Sequence, residues 1–221
     1  MGRAAPKPPA RTKSIRAAGY QVLFALLADP DLASATERSI AEAAGTSRQP
    51  VRDMFDRLVE RRWLVKRNGR HAWVESGRRK AFELWAAGYE ATVRSKLLLG
   101  QFRVQGDTPA EVERLIEERL EDFRYGGAAA GRRMGGLYRG DTTVIHVEGP
   151  VEPVRRRLRA VRSERESNLI LLGPVGEVSW QGETDDTVHP LLVYSELRGD
   201  PYSRAYEAAH EVRERWLPWS L

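Results

Sequence analysis

The chain has 221 residues, of which 41% are apolar and 30% charged, with a net charge of +5 and no cysteine. That length suits one or two domains with real cores, and the missing cysteine excludes a disulfide framework or a thiolate zinc site. Four scattered histidines (His71, His146, His189, His210) lack the paired spacing of a metal-binding helix. No apolar run approaches the roughly 20 residues that span a bilayer. The basic N-terminus lacks the apolar segment of a secretory signal, so a cytoplasmic protein with no membrane partner is expected. No internal repeat is visible.

Residues 1–13, MGRAAPKPPARTK, are Pro-rich and basic with almost nothing to bury, a composition that predicts a disordered arm. Its Arg3, Lys7, Arg11 and Lys13 suit phosphate contacts or entry into a minor groove; a solvated tail is the plainer alternative. Ser14 is the expected cap of a helix running to Ala28. Ile15, Ala18, Val22, Leu23, Phe24 and Leu26 face its core, and Asp29-Pro30-Asp31 stops it.

Residues 36–74 read TERSIAEAAGTSRQPVRDMFDRLVERRWLVKRNGRHAWV. A short helix over 37–44 sets Ile40 and Ala44 on one face with Ala41 beside them. Gly45-Thr46-Ser47 is a tight turn in which Gly45 supplies a positive φ. A second helix runs from 48 to about 61, with Ser47 as N-cap and Pro50 in the first turn, where a missing N–H breaks no helical bond. Val51, Met54, Phe55 and Leu58 form one buried stripe. Gln49, Arg52, Asp53 and Asp56 remain opposite, with Arg48 at the helix start. The period then changes: strands at 63–65 and 72–74 flank Arg67-Asn68-Gly69-Arg70, which carries the Asn-Gly hairpin signal.

Helix, tight turn, helix and hairpin is the order of a winged helix-turn-helix, although two helices and a hairpin also occur in unrelated α+β domains. Charge tilts the balance. Residues 1–80 hold 17 Lys and Arg against 8 Asp and Glu, a net +9, whereas residues 81–221 hold 19 against 23, a net −4. A basic half joined to an acidic half is the electrostatic footprint of a DNA reader with a second task. The candidate base-reading set is Thr46, Ser47, Arg48, Gln49, Arg52 and Asp53, on the N-terminal turns that enter a major groove. Gln pairs with adenine and Arg with guanine, while Asp53 either accepts from cytosine or orients Arg52 or Arg57. Lys66, Arg67, Asn68 and Arg70 form the candidate wing contact, and Arg11 and Lys13 the arm contact.

Ser76-Gly77 reads as the exit from the hairpin into a linker, followed by a helix over 78–98 with Phe82, Trp85, Tyr89, Val93 and Leu97 along one side, taken as ordinary core. A short strand at 101–104 precedes a charged helix from Thr108-Pro109 to about Phe123, with Glu111 placed for a capping box. The glycine-rich stretch 125–140 admits a phosphate-cradling loop, but neither phosphate-binding fingerprint is present and tight packing is favoured. Strands are expected at 142–148, 168–172 and 177–180. A basic helix over 153–162 should turn Val154, Leu158 and Val161 inward, and a final helix should run from Asp200-Pro201 to about Trp216. Glu183, Asp185 and Asp186 lie in a polar loop, and no second cluster supports a metal there. No nucleophile–base pair assembles from the spacing, so neither enzymatic activity nor a cofactor is expected.

The later two-thirds resembles the AbiEi family of bacterial transcriptional regulators, antitoxins of type IV toxin–antitoxin systems. The likeness rests on Tyr125-Gly126-Gly127-x-Ala129-Ala130, Gly136-Leu137-Tyr138, Val144-Ile145-His146-Val147, and the end segment from His189-Pro190-Leu191 through Glu196-Leu197 to Gly199-Asp200-Pro201. The hairpin-bearing front half and the Leu84-Trp85-x-x-x-Tyr89 helix stand in the expected order. The resemblance implies an operator-binding winged helix and a second domain that neutralises a toxin or positions the protein on DNA; the basic arm and the Trp-containing tail are departures from it. The expectation is an α+β protein, with a winged helix-turn-helix over 14–75 and an α+β interaction or effector domain over 76–221 whose small sheet is packed by helices, the two folding separately. The expected function is sequence-specific binding of double-stranded DNA as a repressor, including an autoregulating antitoxin. The alternatives are a toxin-neutralising protein acting through protein contact and, more remotely, a nucleotide-binding enzyme. A cognate toxin, a homodimer, or cooperative binding on inverted repeats are the partners to consider.

Overall fold

The computed structural model describes residues 14–221, so the arm residues Arg3, Lys7, Arg11 and Lys13 lie outside the described part. Helix α1 spans Ala17–Ala28. It begins three residues after the expected Ser14, with Arg16 at the N-cap position and no side-chain cap bond. Residues 22–27 are all buried, because VLFALL is apolar on every side and a helix apolar all round must be covered all round. The carbonyls at its C-terminal end, which have no partner within the helix, are met from outside: Trp73 Nε1 donates to Leu26 O at 3.2 Å and Arg78 Nη2 to Leu27 O at 2.9 Å.

After a 3-10 turn, Pro30–Ser34, come α2, Glu37–Ala43, and α3, Arg48–Glu60. Thr36 caps α2 by accepting from Ser39 N, and Gly45 takes φ +62° between the helices. Val51, Met54 and Leu58 of α3 are buried and Phe55 half-buried, the stripe its spacing predicts. Ser47 has the extended backbone of an N-cap but its side chain accepts no cap bond. Strands β1, Leu64–Arg67, and β2, Arg70–Trp73, pair antiparallel with Arg67 opposite Arg70. Asn68 (φ +50°) and Gly69 (φ +80°) make the two-residue turn whose twist suits a hairpin.

No linker follows. Ser76 and Gly77 are in the first turn of α4, Glu75–Gly88, and a Cβ on Gly77 would stand 2.5 Å from Trp63 Cα. Gly77 is therefore a close-approach residue, not a spacer. The helix continues through a π turn, Tyr89–Val93, into α5, Arg94–Leu97. Phe82, Trp85, Tyr89, Val93 and Leu97 are all buried.

The remainder is a five-stranded sheet under helices. Strands β3 (Leu98–Arg103), β4 (Arg124–Gly126), β5 (Thr143–His146), β6 (Val161–Arg162) and β7 (Leu169–Leu172) lie in the order β4-β5-β7-β3-β6. Only β5 and β7 run parallel. Helix α6, Pro109–Arg119, opens on the expected capping box of Thr108 and Glu111. Helices α7 (Gly127–Arg133), α8 (Val151–Leu158), α9 (Pro190–Arg198) and α10 (Ser203–Trp216) complete the α+β fold. Alternation sorts the sheet faces: Tyr125 opposite Ile145 looks to α6, through a hydroxyl that reaches Glu113 O, while Gly126, Val144 and His146 look to α7 and α9. The glycine-rich stretch is a packing element, with Gly127 through Gly131 buried in α7.

Two expectations are corrected here. Residues 177–180 form a 3-10 helix, not a strand. Ser179 Oγ accepts from Val175 N at 3.1 Å and donates to Gly176 O at 2.7 Å, which closes the segment on itself. Val161 does not turn inward. Helix α8 ends at Leu158, Arg159 turns the chain at φ +51°, and Val161 lands on the edge strand β6 at 65% exposure. At the C-terminus Trp219 is tucked in, 3.7 Å beneath the Arg78 guanidinium and edge-on to Phe82.

One continuous apolar core joins these parts. Phe24 of α1 packs on Trp85 of α4 at 5.1 Å, and Trp85 Nε1 donates to Ser195 Oγ of α9 at 2.9 Å, so packing crosses the division expected at residue 75. The turn between α2 and α3 meets the loop after β7 at two glycines, where a Cβ on Gly45 would stand 3.2 Å from Gly176 Cα. A Cβ on Gly176 (φ +73°) would stand 2.5 Å from Ala43 O, whereas one on Gly69 (φ +80°) would meet nothing within 4 Å. Gly69→Ala should therefore cost only the left-handed backbone penalty, about 1–2 kcal/mol. Gly176→Ala adds a clash with backbone that cannot swing away and should cost at least about 1 kcal/mol more. Chemical denaturation of the two variants beside the parent measures the difference, and equal losses would contradict a rigid contact at Gly176.

Candidate nucleic-acid interface

The described residues singled out in the N-terminal half lie on the turn between α2 and α3, on α3 and on the hairpin. Thr46 is half-buried in the turn; Ser47, Arg48, Gln49, Arg52 and Asp53 are exposed on the first two turns of α3 or at its start. Lys66 and Arg67 end β1, Asn68 is in the turn and Arg70 opens β2, all exposed. The hairpin is seated on α3 by Phe55 and His71, whose rings meet edge-on at 5.0 Å. Arg11 and Lys13 fall outside the described residues.

Polar pairing divides this set in two. Arg48, Lys66, Arg67 and Arg70 make no ion pair or side-chain hydrogen bond among the described residues. Gln49 and Arg52 are held: Gln49 Nε2 donates to Asp53 Oδ1 at 2.8 Å, and Arg52 Nε donates to Glu37 Oε2 of α2 at 2.8 Å. Asp53 thus orients Gln49, not Arg52. The Arg52–Glu37 pair is about half exposed on both sides (56% and 48%), so its value to stability is small. Its geometric effect is larger. Glu37 occupies Nε alone, and the two terminal nitrogens of the guanidinium remain for a paired acceptor. Glu37 was not in the expected set, because it lies 15 residues from Arg52 and only the α2–α3 packing brings them together.

The other polar concentrations are internal. Arg133 of α7 spans the edge strand β4, reaching Glu113 at 3.0 Å, Glu117 at 2.6 Å and Asp186 at 2.7 Å, with its guanidinium 3.6 Å over the Tyr125 ring. Arg132 joins it at Glu113. Asp186, a carboxylate of the polar loop, is consumed by this clamp. Among the described residues no three His, Asp or Glu are grouped to hold a metal ion.

A second buried set flanks Gly126 and Gly127. His146 Nδ1 donates to Gly173 O at 3.0 Å, and its Nε2 has no partner. Arg94 Nε donates to Glu196 Oε2 at 3.2 Å, and Oε1 has no partner. Burial pulls His146 down to about 4 and pushes Glu196 up to about 8, the latter outweighing Arg94 beside it. Both are neutral near pH 7, and no nucleophile is hydrogen-bonded to either. This pair sets a pH dependence. His146 stabilises the fold fully above about 6.5, and that contribution is lost as pH falls through about 4. Glu196, raised on folding, contributes fully below about 4.5 and loses its contribution as pH rises to about 8. Glu196→Gln should therefore remove the decline in melting temperature between about pH 5 and 8 and leave the acid-side decline in place. An unchanged alkaline slope in thermal melts would refute this.

Compared with models of known families, with curated proteins and with solved structures, the chain matches none. The AbiEi resemblance accordingly stands on its short motifs alone.

Proposed function

We propose that this protein is a sequence-specific double-stranded DNA-binding transcriptional regulator of the winged helix-turn-helix type, acting as a repressor in the bacterial cytoplasm. On this reading the first two turns of α3 enter the major groove and the β1–β2 hairpin lies as a wing along neighbouring phosphates. The observation that carries the proposal is the division of the exposed face. Among the described residues Arg48, Lys66, Arg67 and Arg70 have no acidic partner, which leaves their charge available to phosphate. Gln49 and Arg52 stand beside them, steadied by carboxylates as base readers benefit from being. The AbiEi-like motifs support an autoregulating antitoxin as the particular kind of repressor.

A duplex selected from a random pool supplies the test site. Alanine at Arg48, Arg67 and Arg70 should weaken binding to selected and random DNA alike, each flattening the salt dependence by about one unit of log–log slope. Arg52→Ala should behave differently. It should cost about 1–3 kcal/mol on the selected duplex and much less on random DNA at the same salt. An equal loss on both duplexes would make Arg52 a phosphate ligand, and an unchanged triple variant would discard this docking face.

A further inference from the structure

Residues 173–189, the loop between β7 and α9, join the C-terminal half to the turn that precedes α3. The contact is backbone on backbone. A Cβ on Gly176 would stand 2.5 Å from Ala43 O and 2.6 Å from the Ala44 carbonyl carbon, and one on Gly45 would stand 3.2 Å from Gly176 Cα. Both glycines take positive φ, +73° and +62°, and Ala44 is fully buried. No side chain separates the two backbones to take up a shift, so a displaced loop carries the turn with it. The loop itself is braced along its length. Ser179 Oγ closes its first part through Val175 N and Gly176 O, and Ser179 O accepts from His189 N at 2.9 Å, at the start of α9. Val175, Val178 and Val188 anchor it in the core. Tyr125 N of β4 donates to Asp186 O at 2.7 Å, and Val188 N donates to Tyr125 O at 3.0 Å. At the outer end Asp186 Oδ2 accepts from Arg133 Nε at 2.7 Å, with the Asp186 side chain 47% exposed. A run of bonded and touching groups thus leads from the surface of the C-terminal half to the turn between α2 and α3.

We infer that this loop positions α3 for reading DNA, with Gly176 and Ser179 as positioning residues in the C-terminal half and the Arg133–Asp186 pair as the surface end of the coupling. Helix α3 begins at Arg48, three residues after Gly45, so whatever fixes the turn also fixes the start of the helix and the aim of Gln49 and Arg52. Pairing with a base edge needs two atoms aligned at once, whereas attraction to phosphate tolerates a small displacement. A loosened loop therefore lowers discrimination between sequences and leaves general affinity for DNA in place. The mechanical coupling is a property of the chain alone; its consequence for specificity rests on the DNA-reading proposal.

Two variants of the full chain test this, one at each end of the loop. Ser179→Ala removes the two brace bonds. Asp186→Asn keeps the shape of the side chain and removes only a half-exposed charge, so it should fold and melt close to the parent, and it carries the test alone if Ser179→Ala does not fold. In the free protein, amide hydrogen exchange of residues 43–48 should be at least about threefold faster in both variants, with residues 64–73 of the hairpin unchanged. On DNA, both variants should lose about three- to tenfold of the ratio of affinities for the selected and random duplexes, with binding to random DNA at the parental level. A variant that is merely less stable binds both duplexes more weakly and keeps the ratio. Unchanged exchange at residues 43–48 overturns the coupling. Faster exchange with an unchanged ratio overturns the positioning role. A parent that selects no duplex sinks the DNA reading instead, and the exchange result still decides the coupling by itself.

Discussion

Six consecutive apolar residues, 22–27 of α1, have no side to turn to water, and the architecture answers to that constraint. A helix with one apolar stripe needs one neighbour; this run needs several. It is packed by α2, α3 and α4, by the π turn Tyr89–Val93, and by the 3-10 turns Pro30–Ser34 and Glu177–Trp180. Each of its larger side chains contributes about 1.5–3 kcal/mol when removed from water, so every element that covers one of them adds to stability. The chain divides by charge near residue 80 and is nevertheless joined through Phe24, which touches Trp85 on one side and His189 on another. Charge distinguishes the two halves, and burial of apolar surface joins them.

Close backbone approach is the second device. Gly77 lets α4 pass over Trp63, and Gly176 lets the loop after β7 sit against the turn between α2 and α3. In both places the missing side chain belongs to an element remote in sequence from what it touches. The polar counterpart is the clamp of Arg132 and Arg133 over β4. Glu113 is nearly buried there, and removing a partner from such a group costs far more than the intact pair contributes. The clamp also ties the edge strand to α6 and to the polar loop, whose backbone bonds the outer side of Tyr125 (Tyr125 N to Asp186 O at 2.7 Å, Val188 N to Tyr125 O at 3.0 Å), so that edge is not open to pairing with another chain.

Much of this was legible in the sequence wherever the signal is local. Asn68-Gly69 requires two positive φ angles, and only a tight hairpin turn supplies them in that setting. Thr108 and Glu111 satisfy each other across three residues, so the capping box needs no tertiary information. The stripe of Val51, Met54 and Leu58 carries its own period. The misreadings share the opposite property. Ser76-Gly77 has a linker's composition, but Gly77 is small because Trp63 is there. Glu177–Trp180 has an apolar-polar alternation, but Ser179 can bond its own loop, and that short-range bond prevails over strand pairing. Val161 fits the helical period of residues 154–158, but Arg159 breaks the helix before the period reaches it. For the candidate interface, side-chain exposure was readable from the stripe, while the Glu37 partner that holds Arg52 and sets it apart from the unpaired Arg48, Lys66, Arg67 and Arg70 was not.

That division bears on how the proposed reader separates affinity from specificity. An arginine free in solvent loses rotamer entropy when it docks, whatever base it meets. Tying Nε to Glu37 removes part of that cost beforehand and leaves the two terminal nitrogens aimed outward as a fork. The carboxylate that does this is itself repelled by the phosphate backbone, so it lowers attraction to DNA of every sequence while favouring the one orientation of Arg52 that matches two acceptors on a base edge. On the proposed function, a pair nearly worthless for folding would thereby act against nonspecific binding and for discrimination, which a repressor needs against the excess of competing sites in a genome. Among the described residues Arg48, Lys66, Arg67 and Arg70 carry no such carboxylates, so on the same proposal their attraction to phosphate would be undiminished.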